Sequence, residues 1–361
     1  MKSRSLFLAL AAAAAFAQVR DPLPVPEVAG YRTLKCDFHM HTVFSDGVVW
    51  PDVRLEEAWR EGLDAIAITD HIDYTPHDAD VVPNASKPYA LARELAGKIG
   101  LILIPGGEIM AGNDIHFNML FVEDVNALKG LSVPEALKRS REQGGINIWN
   151  HPGWRHKPEW FPIVDELYQS GLLDGMEIFN DHSFYPEAYP WIAEKPLTAM
   201  SGSDMHGLAS VDFPNHSRPI TLVFAKTADA AGIHEALKAR RTAVWADGQV
   251  WGEEEYVRGL WSGAVVFEPA ELSGAAGASA GLRLQNNSAI PFQVKVTGAP
   301  DWLRCDGTTV EPGRVTGMTL GIAKNAPRGT QRVELKLEVT NLHTGPGASL
   351  AVAVPVSVKI E

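Results

Sequence analysis

Cysteine is nearly absent: Cys36 and Cys305 are the only two in 361 residues. They fall in what read as different domains, so no disulfide between them is expected, although an oxidising compartment would permit one. Cys36 reads instead as a small buried strand residue. No run is apolar for long enough to cross a bilayer. The run at 6–17 has twelve residues, against roughly 20 for a spanning helix. Excess positive charge is also missing. A net charge of -12 argues against binding a nucleic-acid polymer. It leaves an anionic small molecule open, because bound cations reverse a local field.

The short apolar run has another reading. Lys2 and Arg4 precede it, and Ala15-Phe16-Ala17 is a small-x-small cleavage pattern. Residues 1–17 are therefore expected to be a signal peptide cut after Ala17, giving a periplasmic or secreted protein. No cysteine follows the cut to carry a lipid. Loss of Lys2 and Arg4 takes the net charge from -12 to -14. Pro22, Pro24 and Pro26 mark an extended arm over 18–30. The whole chain is 45% hydrophobic and 21% charged, enough to bury a sizeable core.

Strand-like runs at 34–38, 65–69, 101–104, 115–122, 146–149, 176–179 and 197–200 alternate with helical patterns at 53–61, 90–99, 133–143 and 163–170. A further run at 220–224 leads to a helix near 230–240. Alternation implies parallel strands, and seven in succession fit a barrel closed by βα units. The barrel is expected over 31–248 and a linker over 249–263. From 264 onward, short alternating runs at 281–285, 292–296, 315–322, 332–339 and 349–359 read as a small all-β, Ig-like sandwich. Residues 274–281, rich in Gly, Ala and Ser, read as a loop. The sandwich carries no cluster of His, Cys or acids. Spacing the molecule, or contacting a glycan or partner, both remain open for it.

In such a barrel, chemistry sits on the loops at the C-terminal ends of the strands. His39 and His41 follow the first strand. Residues i and i+2 of extended chain point to one side, so the two imidazoles emerge together, with Asp46 on the next turn. Two histidines and a carboxylate suit a borderline divalent cation such as zinc or manganese. Asp70 and His71 follow the second strand, Glu108 the third, His151 the fifth, and Asp204 and His206 the seventh. His116 begins its strand, so it reaches the same end only if that strand runs antiparallel. Any one of these could be a turn, cap or core residue; their recurrence at strand ends is the signal. The remaining histidines, His77, His156, His182, His216, His234 and His343, read as loop or surface residues, with His182 the best placed for substrate contact.

Read in order, D-F-H-M-H-T-x-x-S-D-G from Asp37, I-T-D-H to His71, P-G-G-E to Glu108, a later histidine, N-H-P around His151 and G-S-D-M-H to His206 resemble the polymerase and histidinol phosphatase (PHP) superfamily of metal-dependent hydrolases. The resemblance implies a distorted seven-stranded (β/α) barrel and two or three divalent ions (Zn, Mn or Fe). Motif by motif, it implies that His39, His41, Glu108 and Asp204 surround one ion. Glu108 would bridge to a second, completed by His116 and His151. Asp46, His71 and His206 would hold a third. Aspartate at position 46, where the histidinol phosphatase branch often has histidine, points away from histidinol phosphate, as does the signal peptide.

The expected reaction is attack of a metal-bound hydroxide on a small phosphomonoester or phosphodiester. Asp70 is expected to orient a ligand, and His206 to give a proton to the leaving group. Arg155 and Arg218 are expected to meet phosphate charge. Trp154, Trp160, Phe184, Tyr185 and Trp191 are expected to wall the pocket, with Glu177 and Asn180 touching substrate. Two alternatives stand beside this: a carboxyl- or carbamate-ester hydrolase on the same barrel, and a metal-dependent binding protein without catalysis.

Overall fold

All seven strand-like runs form strands in the computed structural model, which describes residues 19–112, 114–268 and 271–361. The expected signal peptide and its cut lie outside the described residues. The first half contains β1 (Arg32–Asp37), α1 (Pro51–Arg60), β2 (Ala65–Ile68), α2 (Lys87–Ile99), β3 (Ile102–Met110), β4 (His116–Leu120), α3 (Val133–Glu142) and β5 (Ile146–Trp149). Then follow α4 (Pro162–Gln169), β6 (Gly175–Asn180), the two-residue β7 (Ser183–Phe184), α5 (Tyr189–Glu194), β8 (Thr198–Gly202) and α6 (Ala209–Asp212). Next come β9 (Ile220–Ala225), α7 (Ala230–Lys238), β10 (Thr242–Ala246), β11 (Gln249–Gly252) and α8 (Glu254–Ala264). Local chemistry sets the helix ends. Ser132 and Glu135 form a capping box at the start of α3, and Gly100, at φ 72°, stops α2 in the left-handed region.

Strand direction places the candidate ligands. β1, β2 and β3 run parallel, as do β5, β6 and β8. β4 is antiparallel to both neighbours. Its first residue, His116, therefore faces Met110 at the end of β3, at the mouth where the parallel strands finish. β9 adds an eighth strand, antiparallel to β1. β8 meets β9 through side chains: Ser201 N donates to Thr221 Oγ1 (2.9 Å), which donates to Ser201 O (3.0 Å). A buried cluster including Leu34, Cys36, Phe38, Ala67, Ile104, Ile148 and Val223 is closed by Ile233, Ala236 and Leu237 of α7. Both cysteines are free.

The C-terminal region is strand-rich: β12 (Val265–Glu268), β13 (Glu271–Gly274), β14 (Ser279–Asn286), β15 (Phe292–Gly298), β16 (Leu303–Cys305), β17 (Thr308–Val310), β18 (Val315–Ile322), β19 (Gly329–Gly345) and β20 (Ala348–Ile360). One sheet follows the order β12-β14-β18-β16; in the other, β13, β20, β19, β15 and β17 pair in sequence. Residues 249–263, expected as a linker, are β11 and most of α8. β11 pairs with β10 and, in parallel, with β19. The spacing of Tyr256, Val257, Leu260, Trp261 and Ala264 gives α8 a buried apolar face. The arm is also packed: Asp21 N donates to Arg60 O, and Ala289 N donates to Pro24 O. Among the described residues, no helix is long and apolar enough to cross a membrane.

Candidate metal centre

Loops from both sides of β1 knit the mouth together. Asp204 N donates to His39 O (2.8 Å) and His41 N to Met205 O (3.0 Å), while Glu108 N donates to Asp70 O (3.0 Å). All nine residues expected as ligands converge here. The rings of His39 and His41 are 5.3 Å apart, His41 and His206 4.3 Å, and His116 and His151 4.8 Å. Glu108, fully buried, stands at the middle. Its oxygens lie 3.3 Å from His39 Nε2, 3.5 Å from His41 Nε2, 3.0 Å from His71 Nδ1, 3.3 Å from His116 Nδ1 and 3.6 Å from His151 Nε2.

The protons can be assigned from the partners. A carboxylate or carbonyl oxygen only accepts, so His39 carries hydrogen on Nδ1, which donates to Glu177 Oε1 (2.9 Å). His206 likewise donates from Nδ1 to Asp204 O (2.7 Å). Ser45 Oγ donates to Asp70 Oδ1 (2.6 Å) and receives His41 Nδ1 at 3.3 Å. Nε2 of each faces carboxylates: His39 toward Asp204 (3.2 Å), His41 toward Asp204 (3.0 Å, a hydrogen bond when Nε2 carries a proton) and His206 toward Asp46 (3.2 Å). A lone pair facing a carboxylate is repulsive unless a proton or a cation lies between them.

The burial of unpaired donor atoms fits cations. His39 Nε2, His71 Nδ1, His116 Nδ1, Glu108 Oε2 and Asp46 Oδ1 are buried without a hydrogen-bond partner, an arrangement costly for polar atoms. Four overlapping sets have mutually close ligand atoms: His41, Asp46, His71 and His206; His39, His151 and Asp204; His39, His41 and Glu108; and His71, Glu108 and His116. This differs from the grouping that the resemblance implies. His41 also joins the Asp46 set, and His151 joins His39 and Asp204.

Without cations, protons balance this charge. Burial disfavours the His206 cation, yet the carboxylate of Asp46 beside its Nε2 and the charge of Asp204 carry it up to about 9. Burial would raise Asp46, but His206, His41 and His71 hold it at about 2. Burial would likewise raise Glu108; the imidazoles of His71, His39, His116 and His151 around it bring it well below the carboxylate range. Cation binding to such ligands displaces protons.

A second layer orients the ligands. Glu177 was expected to touch substrate; instead it sits behind the ligands. Oε1 takes the His39 proton, and Oε2 accepts from His151 N (2.9 Å) and Asn180 Nδ2 (2.9 Å). Only a glycine fits beside it, since a Cβ on Gly202 would lie 2.1 Å from Glu177 Oε1 and 2.5 Å from His39 Cβ. His151 and Asp204 both have positive φ, 28° and 53°, a backbone cost that tertiary contacts must offset. Asn150 Nδ2 donates to Glu108 Oε1 (2.6 Å). Asp70 does not touch its neighbour's ring. It accepts from Thr42 N, Thr42 Oγ1 and Ser45 Oγ, and so fixes the turn between His41 and Asp46. Glu177→Gln should cost about 10–100-fold in metal affinity or turnover, the range for outer-shell partners of ligating histidines. Metal titration would check this; an unchanged affinity would remove Glu177 from the support of His39.

The site opens into a cavity of about 340 Å³ whose lining includes Trp154, Asn180, Asp181, Ser183, Tyr185 and Asp212. Neither expected arginine lines it. Arg218 is buried beneath, donating to Glu61 Oε2 (2.6 Å) and Asp37 Oδ2 (3.3 Å), because β9 starts beside the last residue of β1. Arg155 lies over the outer face of Trp154 (4.1 Å to the ring centroid) and within 3.8 Å of Asp114. Of the five aromatic residues expected as walls, Trp154 and Tyr185 qualify. Trp160 and Trp191 pack with Trp149, and Phe184 stacks on Trp251. His182 is half-exposed, donating from Nε2 to Asp212 O (3.0 Å).

These features define a buried, multi-ligand His/Asp/Glu centre on a mixed α/β sheet. No family model matches the chain. Its structure is similar to a two-domain protein of Bacteroides vulgatus containing a predicted PHP-like metal-dependent phosphoesterase. The two are 36% identical with a TM-score of 0.87, over 94% of this chain and 100% of that one. An uncharacterised protein of Methanocaldococcus jannaschii is 29% identical over 158 residues, 41% of this chain and 82% of that protein. The chain belongs to the PHP-like family, and its cluster of histidines and carboxylates supports a metal-dependent hydrolase.

Proposed function

We propose that the protein is a metal-dependent phosphoesterase that hydrolyses a small phosphomonoester or phosphodiester outside the cytoplasm. The observation carrying this reading is the convergence of His39, His41, His71, His116, His151 and His206 on Glu108, Asp204 and Asp46, with Nε2 atoms facing carboxylates. Mixed nitrogen and oxygen donors suit two or three ions of Zn, Mn or Fe. Such ions, when bound, acidify water and neutralise the charge of an attacked ester. The chain's own residues do the rest. Glu177, Ser45 and the Asp204 carbonyl hold protons on the far nitrogens of His39, His41 and His206. When the cation site that His206 shares with Asp46 is empty, half-exposed His206 is protonated at Nε2 beside the cavity, where it can deliver that proton to a departing oxygen. Trp154 and Tyr185 line the cavity beside the site.

A second reading rests on the cavity wall. Among its lining residues there is no lysine or arginine, which favours a substrate with little negative charge, such as a carboxyl or carbamate ester. A panel of aryl phosphates, aryl phosphodiesters and aryl carboxyl esters, run on manganese-, zinc- or iron-loaded protein, separates the two. Turnover of a phosphoester is expected. Turnover of carboxyl esters alone would transfer the reading to the second class, and no turnover of any would leave a binding protein.

A further inference from the structure

The wall of the cavity formed by residues 180–185 is anchored from outside the barrel. Asp181, Ser183 and Tyr185 face the cavity. Phe184, between them, turns outward and stacks on Trp251 at 4.5 Å and 16°. Trp251 in turn stacks on His343 of β19 at 5.2 Å and 15°. These two rings belong to facing partners where β11 pairs with β19. Gln249 Oε1 accepts from His343 Nε2 at 2.9 Å, and the Tyr189 hydroxyl donates to the His343 carbonyl at 3.4 Å. On the cavity side, Tyr185 lies so close to Gly153 that a Cβ there would come within 2.7 Å of its ring. The contact therefore runs unbroken from the C-terminal region to the loop carrying His151.

We propose that Trp251 and His343 are positioning residues for substrate recognition: strand β19 sets, through the Trp251–Phe184 stack, the wall that Asp181, Ser183 and Tyr185 present to the substrate. This inference rests on the hydrolase reading and gives the C-terminal region a part in the site. The backbone of the loop is pinned at its ends, where Asp181 N donates to Gly202 O (3.0 Å) and Tyr185 N to Ile178 O (2.9 Å), and His182 reaches Asp212 O. Between them, Phe184 is the residue that ties it to the C-terminal region. Strand β7 has two residues and pairs on one side, with β6. Displacing the wall should weaken substrate binding while leaving the ligands in place, because none of them touches Trp251 or His343.

The test uses the full chain loaded with manganese or zinc, carrying Trp251→Ala, His343→Ala or the conservative Trp251→Phe. KM for the best ester of the panel should rise by roughly 2- to 12-fold in the alanine variants, the equivalent of one stacked aromatic pair. Metal content and kcat should stay near those of the parent, and Trp251→Phe should recover most of the loss. Hydrogen exchange should quicken at amides 180–185 in both alanine variants and stay unchanged at 102–110. Unchanged KM together with unchanged exchange at 180–185 would overturn the inference. So would kcat and metal content falling in step with exchange throughout the chain, which marks a purely structural role. If the parent hydrolyses no ester, the hydrolase reading fails and exchange alone decides: quickening confined to 180–185 supports the anchor, and its absence rejects it.

Discussion

Glu108→Ala is expected to lower hydrolysis by well over 100-fold and to lower the bound metal at the same time. That exceeds the 10–100-fold typical of an outer-shell partner, because Glu108 is shared by more than one set of ligands. Its two oxygens face five imidazoles within 3.0 to 3.6 Å. Alanine would leave those imidazoles close together with one carboxylate fewer to balance cations. Arg155→Ala is the internal control. That side chain is 65% exposed and meets Asp114 at 3.8 Å, a surface pair worth at most about 1 kcal/mol. Elemental analysis and initial rates on the same preparations check both variants. A Glu108→Ala protein with a full metal complement would remove Glu108 from the centre.

The loops that bring the candidate ligands together were legible because most follow an apolar run, and a run long enough to be a strand fixes which way its end points. His39 and His41 lie just beyond the end of β1, and their rings come within 5.3 Å of each other, on the one side that a two-residue spacing in extended chain implies. His116 looked misplaced until strand direction was known, and direction is a tertiary property: β4 reverses because β3 extends to Met110 and turns back. What lay hidden were partners across the molecule. Nothing near Glu177 in the sequence says that its carboxylate stands behind His39, 138 residues away. A small signal existed at Gly202, where only a missing side chain lets the two meet. The aromatic residues misled for a related reason. Composition places Trp154, Trp160, Phe184, Tyr185 and Trp191 on neighbouring loops, but not on a face. Phe184 and Tyr185 are adjacent in the chain and point in opposite directions, one at Trp251 and one into the cavity. Residues 249–263, expected as a linker, hold a short strand and an amphipathic helix, which together look like a change of pattern in the sequence.

Arg218 shows how a charge that looks available for substrate can instead support the site from below. Its guanidinium is buried between Asp37 and Glu61. Asp37 in turn accepts from the backbone N of His39 (3.3 Å) and of Ser203 (3.1 Å), so the loops carrying His39 and Asp204 rest on this ion pair. Burial holds the Asp37 carboxyl above its ordinary value, and Arg218 offsets only part of that rise. Arg218→Met should destabilise the protein by about 3–5 kcal/mol, the usual cost of leaving a buried partner charge unpaired. Replacing Asp37 as well, with Asp37→Asn beside Arg218→Met, should recover part of that loss, because one of the two carboxylates left uncompensated is gone while Glu61 remains. Urea denaturation of the parent, the single and the double variant measures this directly. Were Arg218 a substrate contact, Arg218→Met would raise KM and leave stability untouched. The geometry gives the opposite result, a loss of stability that the second substitution relieves.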